Sequence, residues 1–179
     1  MNQTKQQPEN AQSATFAITP SGMAIKISSR QGIWTIILFS AISICAVIGV
    51  PLYGYLYHYT WLDWSLFGLL YVVSGLGITV GYHRLMAHRS FNCPNWVKCT
   101  LLIGGAWALQ NSAIKWAADH LRHHAHCDGE KDPYNAQQGF WHSHCGWLFT
   151  PDRYTDPKYA TRVANDPVAI WQHKYDPLL

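Results

Sequence analysis

LFGLLYVVSGLGITVGYHRLMAH, residues Leu66 to His88, carries an apolar block straight into a pair of histidines. A second box, His120-Leu-Arg-His123-His124, follows another apolar stretch. Eight of the ten histidines lie between His83 and His144, and five of those fall in the two boxes. Imidazoles beside lipid are costly unless something satisfies them, and a bound transition metal is the usual reason.

Upstream, Ile33 to Val50 reads IWTIILFSAISICAVIGV and can span a hydrocarbon core of about 30 Å. Pro51 is expected to end or kink that helix. The aromatic run from Tyr53 to Trp64 suits a membrane interface, where Tyr and Trp rings meet headgroups, and predicts the short turn of a helical hairpin. Leu66 to Val80 then returns the chain to its starting side. The spans are placed at about residues 33–57 and 64–82. Lys5, Lys26 and Arg30 precede the first span and Arg84, Arg89 and Lys98 follow the second, while residues 58–63 hold neither Lys nor Arg. The positive-inside rule therefore puts the N-terminus and the first His box in the cytosol. Residues 1–30 are polar and lack the charged start, apolar core and cleavage site of a signal peptide, so a disordered cytosolic tail is expected.

Val97 to Trp116 is a third apolar stretch, but its apolar core runs only from about Leu101 to Leu109. That is short for a span and suits an interfacial or buried helix. Were it to cross the bilayer, the two His boxes would face opposite sides and could share no metal centre. An unbroken helix from Trp96 to His120 would be roughly 36 Å long. A break or fold-back is therefore expected near Gly104-Gly105 or Gln110-Asn111-Ser112, where helix propensity is weakest. Beyond His124 the chain is turn-rich, with signals at Asp128-Gly129 and Asp132-Pro133. Phe140 to Phe149 is aromatic and suits an interface, and short helices and loops are expected from Thr150 onward.

Composition narrows the classes. Of 179 residues, 49% are hydrophobic and 13% charged, yet mean hydropathy is −0.09 because polar segments dilute the apolar blocks. A net charge of +3 is too small and too dispersed for a nucleic-acid partner. Five cysteines without a CxxC pair argue against a disulfide framework and for reduced thiols. Cys127, beside the second box, is a candidate soft ligand, though no second cysteine is spaced to join it. HExxH is absent, which disfavours a zinc hydrolase.

On an α-helix, residues i, i+3 and i+4 share a face, so His120, His123 and His124 can present imidazoles to two metals at once. His83 and His88 would point about 140° apart on an ideal helix. Either the helix ends between them or they contact different ions. Neutral imidazole suits iron, zinc and copper alike, so spacing does not name the metal. A ligating histidine usually donates its other N–H to a carboxylate. Asp119, Asp128, Glu130 and Asp132 are candidates for that role, although such residues are more often solvated. His126, His142 and His144 are expected to be structural or interfacial.

Gly81-Tyr-His-Arg-Leu-Met-Ala-His-Arg-Ser-Phe91, Gln110-Asn111, Trp116-Ala-Ala-Asp-His-Leu-Arg-His-His124, Asp132-Pro-Tyr-Asn135 and Gly139-Phe-Trp-His-Ser-His-Cys-Gly-Trp-Leu148 occur in that order. Over about residues 30–175 these words resemble the membrane fatty acid desaturase family, of the acyl-CoA (stearoyl-CoA type) Δ9-desaturase kind. The resemblance implies an all-α membrane fold with a cytosolic cap over four spans. It implies a diiron centre (Fe2+) and oxygen-dependent insertion of a cis double bond into a saturated acyl-CoA or acyl-lipid chain. Electrons would come from a donor such as ferredoxin or cytochrome b5. His83, His88, His120, His123 and His124 match the family's iron ligands, with no catalytic side chain beyond the metal centre. Asn111 and Asp119 match residues that contact the substrate, and Trp116 one near the acyl channel.

Two departures bear on this. The family carries a third box, HxxHH, and an Asn-x-x-x-His element after two more spans, whereas beyond Leu148 this sequence has His173 alone. The expected fold is thus an all-α membrane protein: a hairpin of two transmembrane spans plus a cytosolic helical cap, half of a four-span desaturase. Residues 31–179 form the N-terminal part of the desaturase domain. Five box histidines are too few for a two-iron site of that kind. A truncated remnant, a partner supplying ligands and a related His-box hydroxylase stay open beside the desaturase reading. Animal relatives follow Gly-Trp-Leu with basic residues that meet CoA phosphates; here Thr150-Pro-Asp-Arg153 follows, and Ala118 stands where those relatives have Arg. His123→Ala is expected to abolish iron binding; unchanged iron content in the variant would refute the ligand assignment.

Overall fold

The computed structural model describes residues 16–18, 24–26, 33–149 and 155–176. The first apolar block forms α1 (Ile33–Ile44), a π-helical turn (Cys45–Gly49) and α2 (Val50–Tyr57) as one continuous helix. Pro51 does not end it, one of the two outcomes expected there. A proline ring crowds the carbonyl four residues back. Here the preceding turn is already widened, with Val50 N–H bonded to the Cys45 carbonyl.

The expected hairpin turn contracts to residues 58–60, because the aromatic residues on either side stay helical. Tyr59 closes it, donating its hydroxyl to the Val50 carbonyl at 2.7 Å. Thr60 then starts α3 (Trp61–Leu76) with a capping box: its hydroxyl accepts from Asp63 N–H, and Asp63 accepts from Thr60 N–H at 2.8 Å. α3 continues without a break into a π-helical segment, Gly77–Ala87. Ile36–Tyr57 (22 residues) and Trp61–Ala87 (27 residues) are long and apolar enough to cross a membrane. Their apolar side chains are mostly exposed, unlike the core helices of a soluble protein. The second helix is longer at both ends than the span 64–82, so His83 lies within it. The two helices meet around the turn but do not pack along their lengths.

After the first His box, α4 (Asn95–Ala106) runs back antiparallel along the second long helix. The sequence makes this possible by withholding side chains. A Cβ on Gly77 would sit 2.1 Å from the Gly105 nitrogen, and one on Gly104 would sit 2.8 Å from the Val73 carbonyl. Small residues at such crossings let helix backbones touch, the usual basis of packing where lipid removes the hydrophobic drive.

The chain reverses at 107–112, where Leu109 (φ 56°) and Asn111 (φ 67°) adopt left-handed backbone. α5 (Ala113–His126) begins at the Ser112 N-cap and returns toward the first box. The expected break therefore falls at Gln110-Asn111-Ser112. Gly104-Gly105 stay helical because the crossing uses them.

α6 (Phe140–His144), α7 (Pro157–Ala160) and α8 (Pro167–Tyr175) complete the helices. The core sits where α4, α5, α7 and α8 meet the π segment, around Tyr82, Leu102, Ile114 and Val163. A buried polar node ties it together. Tyr82 donates its hydroxyl to the Asn111 carbonyl (3.1 Å) and accepts from Gln172 (3.0 Å), whose Oε1 accepts from Ala113 N–H (3.0 Å). His173, isolated in the sequence, lies 2.6 Å from the Ser112 hydroxyl. Lys98 pairs with Asp166 across α4 and α8.

Within the stretch expected to be a disordered tail, β1 (Phe16–Ile18) and β2 (Ala24–Lys26) pair antiparallel, Ala17 opposite Ile25. That corrects the expectation for those six residues, in which aromatic and β-branched types favour extended backbone. The rest of 1–30 lies outside the described residues.

Gly77→Ala is predicted to destabilise the fold by about 1–3 kcal/mol through overpacking at the crossing. Gly68→Ala, with open space around it, should leave thermal unfolding in detergent unchanged.

Candidate metal centre

The π segment resolves the spacing of the first box. His88 N–H bonds to the His83 carbonyl at 3.0 Å, a five-residue register. In that register, residues five apart come to the same side, and the two Nε2 atoms lie 3.1 Å apart. The helix ends at Ala87 with His88 as its C-cap, so one sequence-based alternative for HxxxxH, a helix end between the two, holds, and the π register supplies the alignment. π-helical turns are frequent at functional sites.

α5 supplies the other half. His88 Nε2 lies 3.0 Å from His120 Nε2, which lies 3.0 Å from His124 Nε2. Ligand atoms of His83, His88, His120 and His124 all fall within 4.8 Å of one another. A ring nitrogen carries either one proton or one lone pair. Three such contacts link the four nitrogens, and one proton cannot point at two neighbours at once, so at most two of the contacts can be linear hydrogen bonds. A cation about 2.1 Å from each nitrogen accounts for all three, since donors at right angles around it stand about 3 Å apart. The donor set therefore fits a transition metal.

Electrostatics favour the ligating form. Burial, and then the neighbouring imidazoles of His124, His83, His88 and His123, push His120 down to about 3. Burial, His83 and His124 lower His88 as well. Both rings are neutral at physiological pH and free to coordinate. Trp116 stacks on His120 (centroids 4.8 Å, 23°), meets His83 edge-on and donates its indole N–H to Gln110 at 2.9 Å.

His123, next in sequence to His124, stands apart from the four. Its Nδ1 lies 2.9 Å from both oxygens of Asp132, whose side chain is fully buried. Of the four carboxylates picked out in the sequence, Asp132 is thus the one seen against a box histidine among the described residues. Burial pushes its carboxyl up, but hydrogen bonds from Tyr134 N–H, His123 and Asp128 N–H outweigh that and leave it below its usual range. Cys127 lies with His123 and Asp132 in a second group of possible ligand atoms, but hydrogen bonds already account for the His123–Asp132 contact.

Of the residues matched to substrate contacts, Asn111 is exposed in the α4–α5 turn, and Asp119 is buried on α5. Ala118 is fully buried in the core. Arg153 lies outside the described residues. His126 donates to or accepts from the Tyr159 hydroxyl (2.8 Å), and His144 stacks on Phe140. The π register and the Trp116 stack went unread in the sequence; the five-residue spacing itself was the available signal for the first. His120→Ala, which removes the nitrogen between His88 and His124, is predicted to abolish metal binding at the four-histidine cluster, measured by metal analysis of the purified protein. His126→Ala should leave it intact.

The sequence matches the fatty acid desaturase family over residues 59–177. It is 40% identical over 121 residues to the sn-1 stearoyl-lipid 9-desaturase of Anabaena variabilis, covering 66% of this chain and 44% of that protein. It is 36% identical over 154 residues to the Delta(9)-fatty-acid desaturase fat-7 of Caenorhabditis elegans, covering 82% and 45%. A probable acyl-CoA desaturase of Schizosaccharomyces pombe is 38% identical over 109 residues, covering 60% and 23%. The chain spans less than half the length of these curated relatives. The family match takes in both His boxes and every helix from α3 to α8 that surrounds them, and the chain belongs to the fatty acid desaturase family.

Proposed function

We propose that this chain is part of a membrane-bound, oxygen-dependent desaturase that inserts a cis double bond at the Δ9 position of a saturated acyl chain. The observation that carries this reading is the convergence of four imidazole nitrogens at the C-terminal end of the second of two membrane-length helices. The relatives' names supply the substrate class, acyl chains on lipid or on CoA. His83, His88, His120 and His124 would surround one iron (Fe2+), and His123 would contribute to the second. Bound iron would supply the oxidation of an unactivated C–H bond, a step no side-chain acid or base can perform.

The chain's own residues set the conditions for that step. Trp116 covers one face of His120 and limits water there. Asn111 and Asp119, at the start and middle of the returning segment, are the proposed substrate contacts. The acyl chain would be held with one methylene pair at the cluster, so that position decides where the double bond forms. O2 and a small electron donor such as ferredoxin or cytochrome b5 complete the reaction. The distribution of Lys and Arg supports a multi-pass protein with its N-terminus and His boxes on the cytosolic side.

The test is complementation of a host lacking its own Δ9-desaturase, using the native polypeptide that carries this sequence. Gas chromatography of membrane acyl chains should show cis-Δ9 monoenes with the wild type and none with His120→Ala. A hydroxylated acyl chain would make the protein a hydroxylase. An iron-loaded protein that yields neither product would overturn the reading.

A further inference from the structure

We infer that Asp132 locks His123 in the tautomer protonated on Nδ1, and so makes Nε2 that residue's metal-binding atom. The inference rests on the metal-centre reading proposed above and assigns Asp132 as a positioning residue.

The loop from Cys127 to Ala136 is built around this carboxylate. Asp132 Oδ2 accepts from Asp128 N–H at 2.8 Å and Oδ1 from Tyr134 N–H at 2.9 Å. The loop is itself pinned. Gly129 N–H bonds to the His126 carbonyl at 2.8 Å, and the Asn135 amide donates to the Gly129 carbonyl at 2.9 Å. Asp128 Oδ1 accepts from Ala136 N–H at 3.1 Å, and Arg122 Nε donates to the Lys131 carbonyl at 2.7 Å. The carboxylate has therefore no freedom to turn away from His123.

An ionised carboxylate only accepts hydrogen bonds. The proton between Asp132 and His123 thus belongs to Nδ1. In a neutral ring the other nitrogen must then carry the lone pair. Among the described residues, His123 is the box histidine whose ring nitrogen meets a carboxylate; the other four meet one another through Nε2. Two neighbouring histidines on one helix are thereby given different tasks. His124 joins the four-nitrogen cluster, and His123 is aimed separately by the loop.

The full chain is labelled with 15N-histidine in detergent without metal, and two-bond proton–nitrogen correlation reads each ring's tautomer. Wild-type His123 should show a protonated Nδ1 and a bare Nε2. Asp132→Asn keeps the shape but can present either its carbonyl or its NH2 to the ring. It should lose the single tautomer and weaken Co2+ binding at the His123 site by about 10–100-fold. Asp132→Glu, still an acceptor, should restore the Nδ1–H form. A protonated Nε2 in the wild type overturns the inference and needs no variant to fold. So does an Asp132→Asn protein with unchanged tautomer and Co2+ affinity. A wild type that holds the Nδ1–H form yet binds no Co2+ overturns the metal-centre reading, and with it the role given to Nε2.

Discussion

A ring nitrogen offers one lone pair or one proton, and four of them are brought into a chain of three close contacts of which at most two can be linear hydrogen bonds. The elements around it are those needed to hold that arrangement against its own electrostatics. The π register turns His88 onto the same side as His83. α5 returns alongside and presents His120 and His124. Burial holds His120 well below the usual imidazole range, so this ring adds no positive charge to the cluster.

Bringing two helical segments to one point requires the intervening chain to reverse in little space. α4 does so by lying backbone to backbone on the second long helix through Gly77, Gly104 and Gly105. The reversal that follows exposes peptide groups that a helix would have satisfied. Gln172 and Tyr82 take them up, bonding Ala113 N–H and the Asn111 carbonyl inside the core. An unsatisfied buried group of that kind costs about 1–3 kcal/mol. The short helix α8 thus does more than cover the surface, since it fixes the angle at which α5 departs.

The second box divides its histidines by the company they keep. On the helix, His120 and His124 are one turn apart and share a face, while His123 points toward the loop after α5. A pinned carboxylate meets it there, the arrangement common behind histidines that ligate ions. Family membership and local geometry agree on which side chains matter, but they do so through different facts. The match concerns the words, and the geometry concerns lone pairs.

Local pattern was enough to read the two apolar helices, the two His boxes and the need for a fold-back before the second box; it grouped His120, His123 and His124 on one face, and the structure sets His123 apart from the other two. Such readings depend on run length and helical period, which neighbouring residues determine. The π register was not legible, because α and π turns differ by one residue of hydrogen-bond register and use the same residue types. Nor was the passage of the helix through Pro51, which depends on the widened turn before it. Gly104-Gly105 and Gln110-Asn111-Ser112 were equally weak as helix; packing against Gly77 held the first pair helical and left the break to the second. Asp132 was one of four candidate carboxylates, and only the folded loop, by supplying two backbone N–H donors, set it against His123. Sequence determined which residues could bind a metal; tertiary structure decided which nitrogens meet, because that depends on contacts between segments some thirty residues apart, as with His88 and His120.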